Sequence, residues 1–236
     1  MGGNTYVALA DGAPGDWLFA VAGENRYSDG LAGIPKVSMK PILLFASLLL
    51  LPAPALAADW KPIEKIETYA ISGQSPAELY ASIGEKGPVV GTGNTQRVIA
   101  HTFFKLTWQR DYQPQAGACV LKTARPKLIV TYTLPRPAGK LPAATQARWD
   151  AFAAGLIAHE KVHGKGIVDM VDKIVAFSTG LTVADDPGCK KIRVQLTQYL
   201  DQLSKAQRQD SRDFDRVEFG RDGNMLKLIA AFLGGG

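Results

Sequence analysis

Between Thr145 and Ser178 the side chains of Trp149, Phe152, Leu156, His159, His163, Met170 and Ile174 recur at intervals of three, four and seven. A helix of 3.6 residues per turn puts them all on one stripe. A helix with such a stripe must bury it against other elements, because propensity alone does not hold it folded. The chain ahead of it has the other period. Ile63 to Ser72 reads as a strand. Ser75-Pro76-Ala77-Glu78 carries an N-cap Ser, a Pro in the first turn and a Glu at the third position, the start of a short helix that stops near Gly84 or Gly87. After a Gly-rich loop, Val98 to Arg110 alternates, with Val98, Ala100, Thr102, Phe104, Leu106 and Trp108 on one face. Ala118 to Thr123 and Lys127 to Leu134 read as one or two more strands, with a bend or bulge at Pro126.

Adjacent strand runs with short connections favour antiparallel pairing. After the long helix, Gly180 and the turn Asp185-Asp186-Pro187-Gly188 interrupt the pattern. A third helix follows from Lys190 to Val217, with Leu196, Tyr199, Leu200, Leu203, Ala206, Asp210, Phe214 and Val217 as its stripe. The tail MLKLIAAFL reads as a short packing helix. Strands first and long helices second predict an α+β domain: a small antiparallel sheet packed on two long helices. Two cysteines exclude a disulfide-dense scaffold and multi-cysteine metal sites. The net charge of +5 is mild and no Lys/Arg run forms a nucleic-acid arm.

From Met39 the sequence has the layout of an export signal. Lys40 supplies the positive start, Ile42 to Leu51 an uncharged Leu-rich run, and Ala55-Leu56-Ala57 a small-x-small cleavage site. The apolar run is too short to cross a hydrocarbon core of about 30 Å as a helix. No Cys lies near the cleavage site to take a lipid. Residues 39–57 are therefore expected to be a signal peptide and 58–236 a single mature domain, periplasmic or extracellular, with no stable membrane span after cleavage. Residues 1–38 show no sustained period and read as an upstream extension from a mis-assigned start, with Met39 the initiator.

The chain has only three histidines, and two of them stand four apart in His159-Glu160-Lys161-Val162-His163. On a helix this HExxH spacing offsets the two imidazoles by about 40°, so both reach one ion, while Glu160 can hold a water without being a ligand. A third protein ligand is needed if the fourth position is to remain open. Asp169 completes H-E-x-x-H-x-x-G-x-x-D, but that pattern needs the helix to break at Gly166, and the sequence IVDMVDKIVAF continues it. Asp210, Asp213, Asp215 and Glu218, late in the next long helix, are the other candidates. His101, on a strand, reads as structural or substrate-facing.

With YAISGQSPAELYASI (69–83), AHTFFKLTW (100–108), Cys119, YTLPR (132–136), Trp149, HEKVH and Cys189 in place, the mature chain resembles the bacterial predicted secreted Zn-dependent proteases. That family is a domain of unknown function placed in the HExxH, zincin-like peptidase clan. The resemblance implies a zincin-like fold, one zinc ion per chain, a peptide or protein substrate, and a Cys119–Cys189 bond. The family ends in an aromatic-Asp pair leading to Thr-x-His-Gly. Phe214-Asp215 and Gly220 fit it, but Phe219 stands where the His is expected. The third ligand is then Asp215 first, with Glu218, Asp210 and Asp169 as alternatives. The expected chemistry is peptide hydrolysis by zinc-activated water with Glu160 as general base, and His101 or a Tyr as oxyanion donor. An exported binding or envelope-associated domain without hydrolysis is the alternative. Peptide mass analysis of the exported protein will find Ala58 at the mature N-terminus, and a mature peptide from before Met39 would refute that reading.

Overall fold

Helix α2, Ala143–Ser178, is the spine of the fold, and the computed structural model describes residues 60–90 and 97–234 around it. Residues 1–38 and the expected signal peptide at 39–57 lie outside the described residues. The elements are β1 Ile63–Ile71, α1 Pro76–Lys86, β2 His101–Gln115, β3 Ala118–Pro137, α2, β4 Thr182–Val183, α3 Lys191–Glu218 and α4 Asn224–Leu233. Among the described residues no helix is long and apolar enough to cross a membrane. The α+β order is as the two sequence periods imply.

The sheet is mixed, not antiparallel throughout. Its order is β1-β3-β2, with β4 paired to β3. β2 and β3 form a long antiparallel hairpin, but β1 runs parallel to β3, Ile63 opposite Ile129. The chain from β1 passes through α1 and β2 before entering β3, which is the crossover that parallel neighbours require. The hairpin closes on Ala116 and Gly117, both at positive φ (46° and 86°), the backbone of a two-residue type I′ turn. β3 is one strand through Pro126. There only β2 flanks it, since β1 pairing starts at Ile129, so a residue lacking an N–H is tolerated. The ladder's irregularity lies instead in β2, between Asp111 and Tyr112.

The N-terminus of α1 is a capping box. Ser75 Oγ accepts from the Glu78 N–H at 3.3 Å, and Glu78 Oε2 accepts from the Ser75 N–H at 3.1 Å. α3 has no side-chain cap at its own boundary residue, Lys190. Asp186, buried in the preceding turn, takes its place and accepts from the backbone N–H of Lys190 (2.7 Å) and Ile192 (2.9 Å). Burial alone would raise the Asp186 carboxyl. The backbone donors outweigh it and hold its pKa below the usual value. The turn thus starts α3 as well as ending α2.

Two cores form, and α2 serves both. Its first half puts Trp149, Phe152 and Leu156 against Ile71, α1 and α4, with Phe152 stacked on Phe232 at 4.5 Å. Its second half puts Ile167, Met170, Val171 and Ile174 against the sheet and against Ile192, Leu196 and Leu200 of α3. His159 and Glu160 are buried between the two. α2 approaches the sheet closely because Gly164 faces Tyr132. A Cβ there would lie 2.1 Å from the Tyr132 hydroxyl.

The stripe expected on α3 holds through Leu203 and again at Phe214. Ala206, Asp210 and Val217 are exposed, while Gln207, Ser211, Phe214, Asp215 and Glu218 turn inward. Steps of four and three from Leu203 lead to 207, 211 and 214, whereas the expected stripe leaves that face at Ala206, Asp210 and Val217. Cys119 and Cys189 are bonded, closing a sequence separation of 70 between the start of β3 and the start of α3. Replacing both with Ser removes about 4 kcal/mol of unfolding free energy on the chain-entropy argument. Urea titration of the oxidised protein against the double variant measures it, and a difference under about 1 kcal/mol would contradict that argument.

Candidate metal centre

His159 and His163 stand one turn apart on α2, with ring centres 4.9 Å apart. Their Nε2 atoms are separated by 3.2 Å. Asp215 of α3 brings Oδ1 to 3.0 Å from each. The three donors form a nearly equilateral triangle. In four-coordinate zinc, with bonds of about 2.0–2.1 Å, neighbouring donors stand about 3.3 Å apart, so the triangle fits one face of such a site. Two imidazole lone pairs and a carboxylate oxygen cannot satisfy one another. They converge only around a proton or a cation. Among the described residues, these are the three His, Cys, Asp or Glu side chains whose donor atoms gather in this way.

The far nitrogens of the imidazoles face α3. His163 Nδ1 is 3.2 Å from Ser211 Oγ, which already accepts from Gln207 Nε2 at 3.1 Å. With the proton on Nδ1 and donated to Ser211, the Nε2 lone pair is free for a cation; with the proton on Nε2, Ser211 donates to Nδ1 and Nε2 donates to Asp215. His159 Nδ1 is buried without a hydrogen-bond partner, and Glu218 Oε2 stands 3.8 Å from it. Glu218 is held in turn by Asn224 Nδ2 at 2.8 Å. An outer carboxylate behind a ligating His orients the ring and raises its basicity. Glu218 thus sits behind the triangle, not in it.

The electrostatics follow the geometry. Burial would raise the Asp215 carboxyl, but hydrogen bonds from His159 and His163 and the His163 charge hold it below the ordinary range. Burial would lower His163, but the bond to Asp215 and its charge outweigh burial and raise it. Phe214 stacks on His159 at 4.9 Å and Phe219 meets it edge-on at 5.7 Å.

Glu160 is 5 % exposed. Its Oε2 accepts from Thr102 Oγ1 of β2 at 2.5 Å. Burial raises its pKa, opposed by the Thr102 bond and the two histidines. Beneath it, the Tyr132 hydroxyl donates to Glu64 Oε1 at 2.7 Å, Lys161 binds the other Glu64 oxygen, and the Lys161 ammonium sits 4.7 Å over the Tyr132 ring.

The remaining sequence candidates do not join the triangle. α2 continues unbroken through Gly166, and Asp169 pairs with Lys165 on its surface at 2.5 Å. Asp210 is exposed and lines, with Met170, Lys173, Leu203 and Phe214, a 180 Å³ cavity between α2 and α3. Asp213 pairs with Arg216. His101 is half-buried next to Thr102. Burial, then the His163 charge, lowers its pKa. Sequence reasoning missed Thr102, Ser211 and Gln207 as partners of the motif. Thr102 was on the inward face of its strand, and Gln207, Ser211 and Asp215 are spaced by four, so both signals were present.

No curated protein and no solved structure matches this chain. One family profile, described as a bacterial protein of unknown function, DUF922, matches residues 66–222. The matched span covers more than half of the chain and holds the triangle, Glu160, Thr102, Glu218 and both cysteines. The chain therefore belongs to the DUF922 family of bacterial proteins of unknown function.

Proposed function

We propose that this protein is an exported zinc-dependent metallopeptidase, with one zinc ion per chain held by His159, His163 and Asp215 and with Glu160 as general base. The observation that carries the reading is the convergence of two Nε2 atoms and one Oδ1 within 3.0–3.2 Å, beside a buried carboxylate. The resemblance to secreted Zn-dependent proteases of the HExxH clan supports it. So does the Cys119–Cys189 bond, which suits an exported chain.

Zinc bound by such donors supplies Lewis acidity, polarising a carbonyl and making water nucleophilic near neutral pH. The protein's residues do the rest. Glu160 takes the proton of the attacking water and passes it to the leaving amine. Its raised pKa brings it closer to the working pH than an ordinary carboxylate. Thr102 is a positioning residue. Its hydroxyl holds Oε2, which leaves Oε1 to receive the proton. His101, kept neutral by burial, is the candidate donor to the oxyanion. β2 is an edge strand and offers its backbone to align a peptide.

A second reading, an exported binding or envelope-associated domain that does not hydrolyse, draws on the burial of the donors. The side chains of His159, His163 and Asp215 are only 5 %, 13 % and 15 % exposed. Metal analysis and kinetics separate the two. The purified protein carries one zinc per chain, and His163→Ala loses it. Glu160→Gln keeps zinc and cleaves peptides about 100-fold more slowly or worse. Equal cleavage by that variant would overturn the mechanism. Zinc retention with no cleavage of a diverse peptide library would establish the second reading. Thr102→Val lowers kcat roughly tenfold at unchanged KM, because a buried carboxylate loses its donor. Its Glu160 pKa rises further, so the acid limb of the rate profile moves to higher pH, and Thr102→Ser restores both.

A further inference from the structure

The far end of β2 holds a second group of polar atoms that the metal centre does not use. Arg110 lies roughly 27 Å along the strand from Thr102, at about 3.4 Å per residue. Its Nε and Nη2 are buried and have no hydrogen-bond partner. These two atoms share one edge of the guanidinium. Their N–H bonds run parallel, the geometry that grips one carboxylate, phosphate or sulfate with two hydrogen bonds. The Trp108 side chain is 2 % exposed, and its indole N–H also lacks an acceptor. The Arg110 guanidinium carbon lies 4.8 Å from the centre of that ring. Buried donors in native proteins are nearly always satisfied, and a buried charge needs a counter-charge or strong acceptors.

The surroundings add positive charge, not negative. Arg193, in the first turns of α3, lies 3.9 Å over the Tyr112 ring. Burial pulls the Arg110 pKa down, the nearby Tyr112 hydroxyl opposes it, and the Arg193 charge adds a smaller downward pull. Among the described residues no carboxylate forms an ion pair with Arg110 or Arg193. Asp111, next in the chain, accepts from Gln113. The N-terminal amides of α3 take no part, because Asp186 accepts from them.

We infer that the Arg110 fork, with the Trp108 indole and Arg193, is a binding site for a single oxyanion group. The site is independent of the metal centre and of any hydrolytic activity. Two parallel donors accept a planar carboxylate or a tetrahedral phosphate or sulfate, so the test separates them. The purified protein, labelled with nitrogen-15 at tryptophan, is titrated separately with sulfate, inorganic phosphate and acetate, at fixed ionic strength set with chloride. The Trp108 indole resonance, assigned by its loss in Trp108→Phe, moves saturably, with half-saturation on the order of 1 mM for the preferred anion. A preference for sulfate or phosphate over acetate identifies a tetrahedral group, and the reverse identifies a carboxylate. Arg193→Gln, at a partly exposed position, weakens binding roughly fivefold. Arg110→Lys keeps the charge but removes the fork and abolishes saturation. The proposal is overturned if no saturable shift appears up to about 100 mM. It is equally overturned if both arginine variants titrate as wild type, which would mean an adventitious ion only.

Discussion

A single carboxylate oxygen, Oδ1 of Asp215, meets two imidazole nitrogens at 3.0 Å each and ties the end of α3 to the middle of α2. Its position is set by everything earlier in α3. The Cys119–Cys189 bond and the Asp186 cap fix where that helix begins. Ile192, Leu196 and Leu200 fix how it lies on the core. Ser211, held by Gln207 on the same inward face, reaches His163 from the turn before Asp215. A two-residue rotation of α3 would carry Asp215 about 200° away and place solvated carboxylates elsewhere. The three acceptors then demand positive charge. Without a metal, His163 supplies it by holding a proton more tightly than a free imidazole.

The HExxH turn lies at the seam of two cores, and this explains how a polar motif survives inside a buried helix. Apolar packing is complete on both sides: Trp149, Phe152 and Leu156 before it, Ile167, Met170 and Val171 after it. The turn between them is free to carry groups that cost burial energy. Glu160 is the extreme case, a carboxylate almost out of water. One hydroxyl compensates it, and the Thr102 oxygen reaches because α2 lies close on the sheet. That closeness rests on the absent side chain of Gly164, which leaves room for Tyr132. Tyr132, Glu64 and Lys161 then brace the same turn from β1 and β3.

Much of this was legible in the residues, and the gaps have physical causes. Both long helices, the capping box at Ser75 and the inward face of β2 follow from local period and cap chemistry. Pairing direction does not. β1 could meet β3 in either sense as far as its own side chains are concerned, and only the crossover through α1 and β2 sets it parallel. Pro126 suggests a bend or bulge because a central strand rejects proline. It is tolerated where β3 has one neighbour. The HExxH histidines were local and readable. The third donor, Asp215, came first only through the family resemblance, because its face depends on the phase of α3 over more than four turns. A stripe counted through Ala206 and Asp210 slips by one position, which moves a residue by 100°. That slip made Asp210 seem inward and left Ser211 and Gln207 unnoticed.

The number of donors bears on what the centre is for. Closed structural zinc sites take four protein ligands, whereas sites that act on substrate keep three and leave one position for water. Among the described residues three donors converge here, and the next carboxylate, Glu218, faces the far nitrogen of His159. A closed site would place Glu218 on the ion, where its charge would count most. Instead it stands where an orienting carboxylate stands behind a ligating ring. The buried acid beside the triangle points the same way. A purely structural site gains nothing from Glu160, whose burial costs stability and whose side-chain donor, among the described residues, is Thr102. A hydrolytic site needs such a group at that place, with its pKa drawn toward neutrality. A costly buried carboxylate beside three converging donors is what the proposed hydrolytic reading requires and what a staple would have no use for.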